Sequence, residues 1–111
     1  MGKMQRTKGA VNEREVANKY SLYLEKKSSR NLDQYQKTDG RDIKGCSPYC
    51  VQVKSGKAIN IYGAYAEAKS AVNSEYKYPV AHIHYDRRDG LVVINEDLWW
   101  VIIQLIKDKL I

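Results

Sequence analysis

The sequence predicts an α/β fold in which helices pack on a central mixed β-sheet, with elements in the order α-β-β-α-β-β-α. Two observations support this class: stretches with apolar residues at helical spacing, and shorter runs in which apolar and polar residues alternate. With 111 residues, the chain has room for one compact domain. We expect helices over about 10–27, 62–77 and from 95 onward, and strands over about 33–38, 49–54, 79–85 and 91–94.

The first predicted helix separates two glutamates by the face on which they lie. Its apolar stripe at 3.6-residue spacing consists of Val16, Ala17, Tyr20, Tyr23 and Leu24. Glu13 falls on this stripe one turn earlier, whereas Glu15 falls on the opposite face, where it can pair with Lys19. An inward carboxylate requires a compensating interaction. Glu13 is therefore a candidate functional residue, and Glu15 has an ordinary surface role.

Turn and cap residues bound the later elements. Residues 38–41 form a turn signal, and residues 55–57 end the strand that begins after Pro48. Residues 86–90 predict the turn of a hairpin. Asn95 is suited to cap the final helix, because two acidic residues follow it in the first turn.

Polar side chains on one predicted strand form the clearest candidate site. Gln52 and Lys54 alternate with Val51 and Val53, so strand geometry directs both polar side chains to one face. Asp42 lies ten residues before Gln52 and reaches that face if the chain reverses between them. Hard oxygen donors hold Mg²⁺, and a lysine orients the attacking water or stabilises negative charge. The pattern therefore predicts a divalent-metal phosphodiesterase site, as in a small nuclease.

The charge distribution favours a polyanionic partner. The net charge is +6, in a composition typical of a globular protein, with 43% hydrophobic and 29% charged residues. Residues 1–30 hold eight Lys and Arg against three acids, whereas residues 91–111 have one more acid than base. Because the candidate site lies in the basic half, nucleic acid is the expected partner. The alternative is a merely basic soluble protein.

The remaining candidates for metal or redox chemistry are weaker. Cys46 and Cys50 are the only cysteines, and this single pair is poorly suited to bind zinc or to form a structural disulfide. Cys50 is expected to pack as a small apolar residue. His82 and His84 share one strand face, which a half-exposed strand explains without a metal. The N-terminus carries no signal-peptide pattern. We expect an intracellular protein, cytoplasmic or nucleoid-associated. The small size of the chain suits a virus-encoded enzyme.

Two motifs carry a resemblance to a known family. Residues 8–15, Lys-Gly-Ala-Val-Asn-Glu-Arg-Glu, resemble the opening of archaeal-type Holliday junction resolvases. Residues 40–43, Gly-Arg-Asp-Ile, followed by residues 52–54, Gln-Val-Lys, resemble the core of the wider PD-(D/E)XK nuclease superfamily. The resemblance implies a restriction-endonuclease-like fold with one nuclease domain over 9–111, preceded by a basic flexible arm over 1–8.

The resemblance also implies roles for individual residues. Asp42 becomes the central metal ligand and Gln52 a neighbouring one, for Mg²⁺ or Mn²⁺. Glu13 reaches the metal directly or through water, and Lys54 positions the nucleophilic water. Contacts to DNA are expected from Lys8, Arg14, Lys37, Thr38, Arg41 and Lys57.

The chain departs from the family pattern at two positions. No proline precedes Asp42, and Gln52 stands where most members have glutamate. An amide oxygen can still bind Mg²⁺ but supplies no charge, so weaker metal binding is expected. A Gln-x-Lys core resembles that of the Mrr-type endonucleases. Three functions therefore remain open: a junction-selective endonuclease, a PD-(D/E)XK nuclease of other specificity such as a nicking, restriction-like or replication-repair enzyme, and a non-catalytic DNA-binding protein.

The final helix predicts a partner subunit. Residues 98–103 are six consecutive apolar residues, and a helix with one face on a sheet cannot bury all of them. We expect a homodimer through this helix, with Trp99 or Trp100 in the interface. The alternative is an isolated exposed tryptophan, which requires no partner.

Overall fold

The computed structural model describes residues 2–32 and 40–110 and, within them, the side chains from residue 9 onward. The α/β class and the mixed sheet are confirmed. The elements are α1 (Gly2–Leu24), β1 (Ser29–Arg30), β2 (Ile43–Lys44), β3 (Tyr49–Gly56), α2 (Ile61–Ser70), β4 (Tyr78–Tyr85), β5 (Leu91–Val93) and α3 (Glu96–Leu110).

The main sheet has the strand order β3-β4-β5. β3 and β4 are parallel and joined through α2, whereas β4 and β5 form an antiparallel hairpin. β1 and β2 form a separate two-stranded antiparallel ladder. This ladder borders the outer edge of β3, because the Asp42 N–H donates to the Val51 carbonyl at 3.0 Å. The fold thus places residue 42 at the edge of the strand that carries Gln52 and Lys54.

The core lies on both faces of the sheet. Val16 and Ala17 of α1 pack in a buried cluster with Val51, Val53 and Val80. On the other side, a small cluster joins Ala64 of α2 to Ala81 and Ile83 of β4. Residues with small side chains on α2 allow the helix to approach the sheet closely. The alternation predicted for β3 therefore arises because its successive side chains point to two different helices.

Several predicted boundaries were wrong, and so was the element order, because three strands of the described chain, β1 to β3, precede α2 where two were predicted. α1 begins at Gly2 rather than at residue 10, so the helix extends through the predicted arm, and it ends at Leu24 rather than at residue 27. α2 ends at Ser70 instead of Lys77, because Asn73 accepts the backbone N–H groups of Glu75 and Tyr76 and so stabilises a turn in place of helix. The strand predicted over 33–38 lies outside the described residues.

Tyr23 was also assigned wrongly to the buried stripe of α1. Its side chain is 79% exposed, whereas Tyr20 and Leu24 pack against the core. Tyr23 lies in the last turn of α1, where it lines an open groove of about 530 Å³ between this helix, the hairpin and α3. The periodicity of a helix does not reveal where its neighbours end.

Both cysteines are free and fully buried, which confirms the expectation for Cys50. The Cys50 thiol donates to the Ala68 carbonyl at 3.3 Å. In the described part of the chain, no helix combines the length and the apolar character needed to cross a membrane.

Replacement of Gly45 by alanine should destabilise the turn that follows β2. Gly45 has a φ of +83°, and an added Cβ would collide with the Lys27 carbonyl oxygen. We expect the free energy of unfolding to fall by about 3 kcal/mol, since both left-handed strain and overpacking contribute. Gly9→Ala is the control, because its Cβ meets open space on a helix and should stabilise by up to ~1 kcal/mol. Urea denaturation measures both; equal effects would contradict this account of the turn.

Candidate functional site

Asp42 is the centre of the candidate site, and the backbone of two strands holds it in place. Its carboxylate oxygen Oδ2 accepts the Val53 N–H at 2.7 Å, and its own carbonyl accepts the Asn31 N–H at 2.7 Å. The side chain is buried. Among the described residues, no hydrogen bond to the second oxygen, Oδ1, is present. Asp42 is thus fixed at the edge of β3 with one oxygen available for a ligand.

The charges of two other predicted site residues, Glu13 and Lys54, act on the Asp42 carboxyl. Burial raises the pKa of Asp42 to about 7. The Val53 hydrogen bond opposes this increase, the charges of Glu13 and Glu67 add to it, and that of Lys54 lowers the pKa. A carboxyl group that titrates near neutral pH beside other charged groups is typical of functional sites, where a cation can replace the proton.

Glu13 lies on the buried face of α1, as its place on the apolar stripe predicted. Its Oε2 is 3.3 Å from the Arg30 Nε, so β1 supplies the compensating charge that the inward carboxylate requires. Glu15 is exposed, also as predicted. Sequence reasoning did not identify Arg30, because the helix and the strand meet only in the folded chain.

Lys54 is held by an acid that sequence reasoning missed. Its ammonium is 2.7 Å from the Glu67 Oε2 on α2, and both side chains are partly exposed. A signal existed: Glu67 is the one acid on an alanine-rich helix whose buried residues are Ala64 and Ala68. Glu67 therefore orients the lysine of the site and adds a third carboxylate to its surroundings.

Gln52 is buried and donates its side-chain Nε2 to the Gly40 carbonyl. This hydrogen bond leaves the amide oxygen as the group that can ligate a cation. A glutamate in the same position would place a carboxylate oxygen against a carbonyl oxygen, which is repulsive. The local backbone thus favours an amide over an acid at position 52.

The predicted DNA contacts fall into three groups. Arg14 and Lys57 are exposed and free to meet a phosphate. The Arg41 guanidinium lies over the Tyr76 ring at 4.1 Å and donates to the Ala71 carbonyl, so these two of its contacts are internal. The side chain of Lys8, and residues Lys37 and Thr38, lie outside what the structure describes.

The two histidines line the open groove between α1, the hairpin and α3 rather than this site. The Tyr20 hydroxyl and the His82 Nε2 are 2.8 Å apart, and burial lowers the pKa of His82 to about 4. Burial also lowers the pKa of His84. His82 is therefore neutral and hydrogen-bonded across the α1–sheet interface.

The donors at the site fit a hard divalent cation. Within residues 2–32 and 40–110, no three His, Cys, Asp or Glu side chains lie close enough together to hold a metal ion by themselves. Mg²⁺, however, is commonly held by one or two carboxylates, with water and substrate phosphate as the other ligands. The Asp42 carboxylate, on which the charge of Glu13 acts, matches that donor chemistry, whereas the observed side-chain contact of Gln52 is with the Gly40 carbonyl.

Comparison with protein-family models, with curated protein sequences and with solved structures finds no match to this chain. Function is therefore inferred from the contacts around Asp42.

Proposed function

We propose that the protein is a divalent-metal-dependent DNA endonuclease with a restriction-endonuclease-like fold, which cleaves branched DNA such as four-way junctions. The observation that carries the proposal is the convergence of charged groups on the buried carboxyl of Asp42. The charges of Glu13 on α1 and Lys54 on β3 both act on this carboxyl, and the resemblance gives both residues a catalytic role. An aspartate with only a structural role at a strand edge would not require charged groups around it.

Asp42, Gln52 and Glu13 would hold the cation, and Lys54 would act on the water. When bound, Mg²⁺ or Mn²⁺ lowers the pKa of a water ligand and polarises the phosphodiester. Lys54 aligns the attacking water and stabilises the negative charge that develops on the phosphate. Its ion pair with Glu67 keeps the ammonium in one position before substrate arrives. Two-fold related sites would suit a junction, since symmetric resolution requires two cuts.

The basic half of the chain supplies the DNA affinity. Residues 1–30 have a net charge of +5, from eight Lys and Arg and three acids, and α1 carries most of them along with Glu13. Arg14 is exposed immediately beside Glu13, and Lys57 follows the strand that bears Lys54. Contacts from such residues go to the phosphate backbone and orient the duplex without reading its sequence.

The experiment that tests the proposal compares DNA structures. A labelled four-way junction, a linear duplex, a single strand and a flap are incubated with the protein in Mg²⁺ or Mn²⁺ and with EDTA. Paired nicks in the junction alone, abolished by EDTA, are expected. Cleavage that does not depend on the junction would show that the protein is a nuclease of other specificity.

A non-catalytic DNA-binding protein is the second candidate, and two observations favour it. Gln52 reduces the negative charge at the site, and the ion pairs already neutralise Glu13 and Lys54. Tight binding of DNA with no cleavage of any substrate, in either metal, would support this function and overturn the first.

Replacement of Glu67 by glutamine should slow cleavage without abolishing it. Glutamine can still accept a hydrogen bond from Lys54, so the rate is expected to fall roughly 10-fold, as for supporting residues around metal sites. Because the Glu67 charge raises the pKa of Asp42, its removal should also move the acid limb of the pH–rate profile to lower pH. Exposed Glu75→Gln is the control. If the acid limb of the pH–rate profile did not move, Glu67 would not be part of the site.

A further inference from the structure

α3 carries two separate apolar stripes, and its own domain covers only one. Leu98 is 6% exposed, and Ile102, one turn later, packs against the core. Leu98 is the buried residue of this helix. A 15-residue helix that depends on so little tertiary packing is marginal in water, since most helices in proteins are stabilised by a buried face.

The second stripe has the spacing of a helix–helix seam. It consists of Trp99, Ile103, Ile106 and Leu110, which are 46, 38, 51 and 82% exposed. The intervals of four, three and four residues are those by which apolar side chains line a packed pair of helices. At 100° per residue, this α3 seam lies about a quarter-turn from the Leu98 stripe.

The exposed apolar surface is large for a chain of this size. Its four seam side chains present on the order of 400 Å², which is comparable to the whole of the largest apolar patch on a typical monomer. Trp100 and Leu105 are also exposed, but they lie on other faces of α3.

We propose that the α3 seam packs against the α3 seam of a second copy of this chain, with the two helices antiparallel. The end charges favour this occupant and this direction. Glu96 and Asp97 lie in the first turn of α3, and Lys107 and Lys109 in the last. An antiparallel pair brings the acidic end of each helix to the basic end of the other, whereas a parallel pair brings like charges together.

The resulting dimer is closed and does not depend on the nuclease proposal. A two-fold axis through the middle of the seam uses the same surface on both subunits, so assembly stops at two copies. Trp99 belongs to the seam, whereas Trp100 lies one residue further round the helix. Of the two tryptophans that the sequence singled out, Trp99 is thus assigned to the contact, at one end of the seam.

Light scattering during size exclusion, together with sedimentation, tests the proposal on the full chain. Wild type should have twice the mass of the 12.8 kDa monomer at micromolar concentration. Ile103→Glu should weaken dimerisation roughly 100-fold or more, because the substitution enters a symmetric seam twice. Val101→Glu is the matched control: Val101 is comparably exposed on the opposite side of α3 and should remain dimeric. Circular dichroism checks that both variants fold.

Oxidation of variants with one added surface cysteine tests the helix direction, because the native Cys46 and Cys50 are buried. Ile103→Cys lies near the two-fold axis and should form an intermolecular disulfide, whereas Leu110→Cys at the helix end should not, because antiparallel helices separate equivalent ends. Efficient Leu110→Cys cross-linking would show a parallel pair and overturn the stated geometry. The proposal that a second copy occupies the seam would be overturned if wild type were a monomer at every concentration. It would also be overturned if Val101→Glu weakened dimerisation as much as Ile103→Glu.

Discussion

Replacement of Asp42 by asparagine should abolish cleavage and leave the fold intact. Asparagine has the same shape and still accepts the Val53 N–H, so the edge of β3 is retained. The change removes the charge that would hold a cation. We expect the single-turnover rate to fall at least ~100- to 1,000-fold, as when a principal electrostatic group is lost from an active site. DNA affinity should be unchanged or higher, because a negative charge is removed from a DNA-binding face.

Asp89→Asn provides the control for that variant. Asp89 is an exposed carboxylate in the turn between β4 and β5, so its loss has the same effect on net charge. We expect wild-type cleavage from it, and gel-shift assays should show that all three proteins bind DNA. If Asp42→Asn cut within tenfold of the wild-type rate, Asp42 would have no catalytic role.

The stability of the protein should fall as pH rises through the titration of Asp42. Its ordinary pKa of 3.8 is raised to about 7 in the folded protein, mainly by burial. Between these values the folded chain holds a proton that the unfolded chain releases, so the free energy of unfolding decreases with pH. At pH 8 the cost is on the order of 2–4 kcal/mol. Asp42→Asn removes this cost and should be more stable than wild type there.

Divalent cation should reverse the loss of stability at high pH. A cation that replaces the Asp42 proton binds the folded state in its deprotonated form, so Mn²⁺ should stabilise wild type more at pH 8 than at pH 5. Urea denaturation with Mn²⁺ and with EDTA measures this at both values of pH. Asp89→Asn should follow wild type, and Asp42→Asn should show no pH-dependent response to Mn²⁺. A cation effect that persists in Asp42→Asn would locate the bound metal elsewhere.

The parts of the site that follow from local periodicity could be predicted. The inward position of Glu13 came from helical spacing in α1, and the place of Gln52 and Lys54 came from alternation in β3. The Asn95 cap was also correct, since its side chain accepts the Leu98 N–H at 2.8 Å. In each case the deciding interaction lies within one element, so neighbouring residues contain the information.

The parts that depend on contacts between elements could not. Glu67 reaches Lys54 only because α2 crosses β3, and Arg30 reaches Glu13 only because β1 passes under α1. The resemblance assigned Arg41 to DNA, which stays a prediction, and two of its contacts are with the Tyr76 ring and the Ala71 carbonyl at the end of α2. A charged residue in a motif can therefore be used inside the fold, and only the tertiary structure distinguishes the two uses.

The most direct test of the account is where a divalent cation binds, because every catalytic step depends on a cation at Asp42. Mn²⁺ can be titrated into the ¹⁵N-labelled protein at pH 8 while paramagnetic broadening of the amide signals is followed by NMR. We predict that the signals of Asp42, Val53 and Lys54 broaden first in wild type and in Asp89→Asn, and that this selective loss disappears in Asp42→Asn. Broadening that begins elsewhere, or that is the same in Asp42→Asn, would contradict the proposed site.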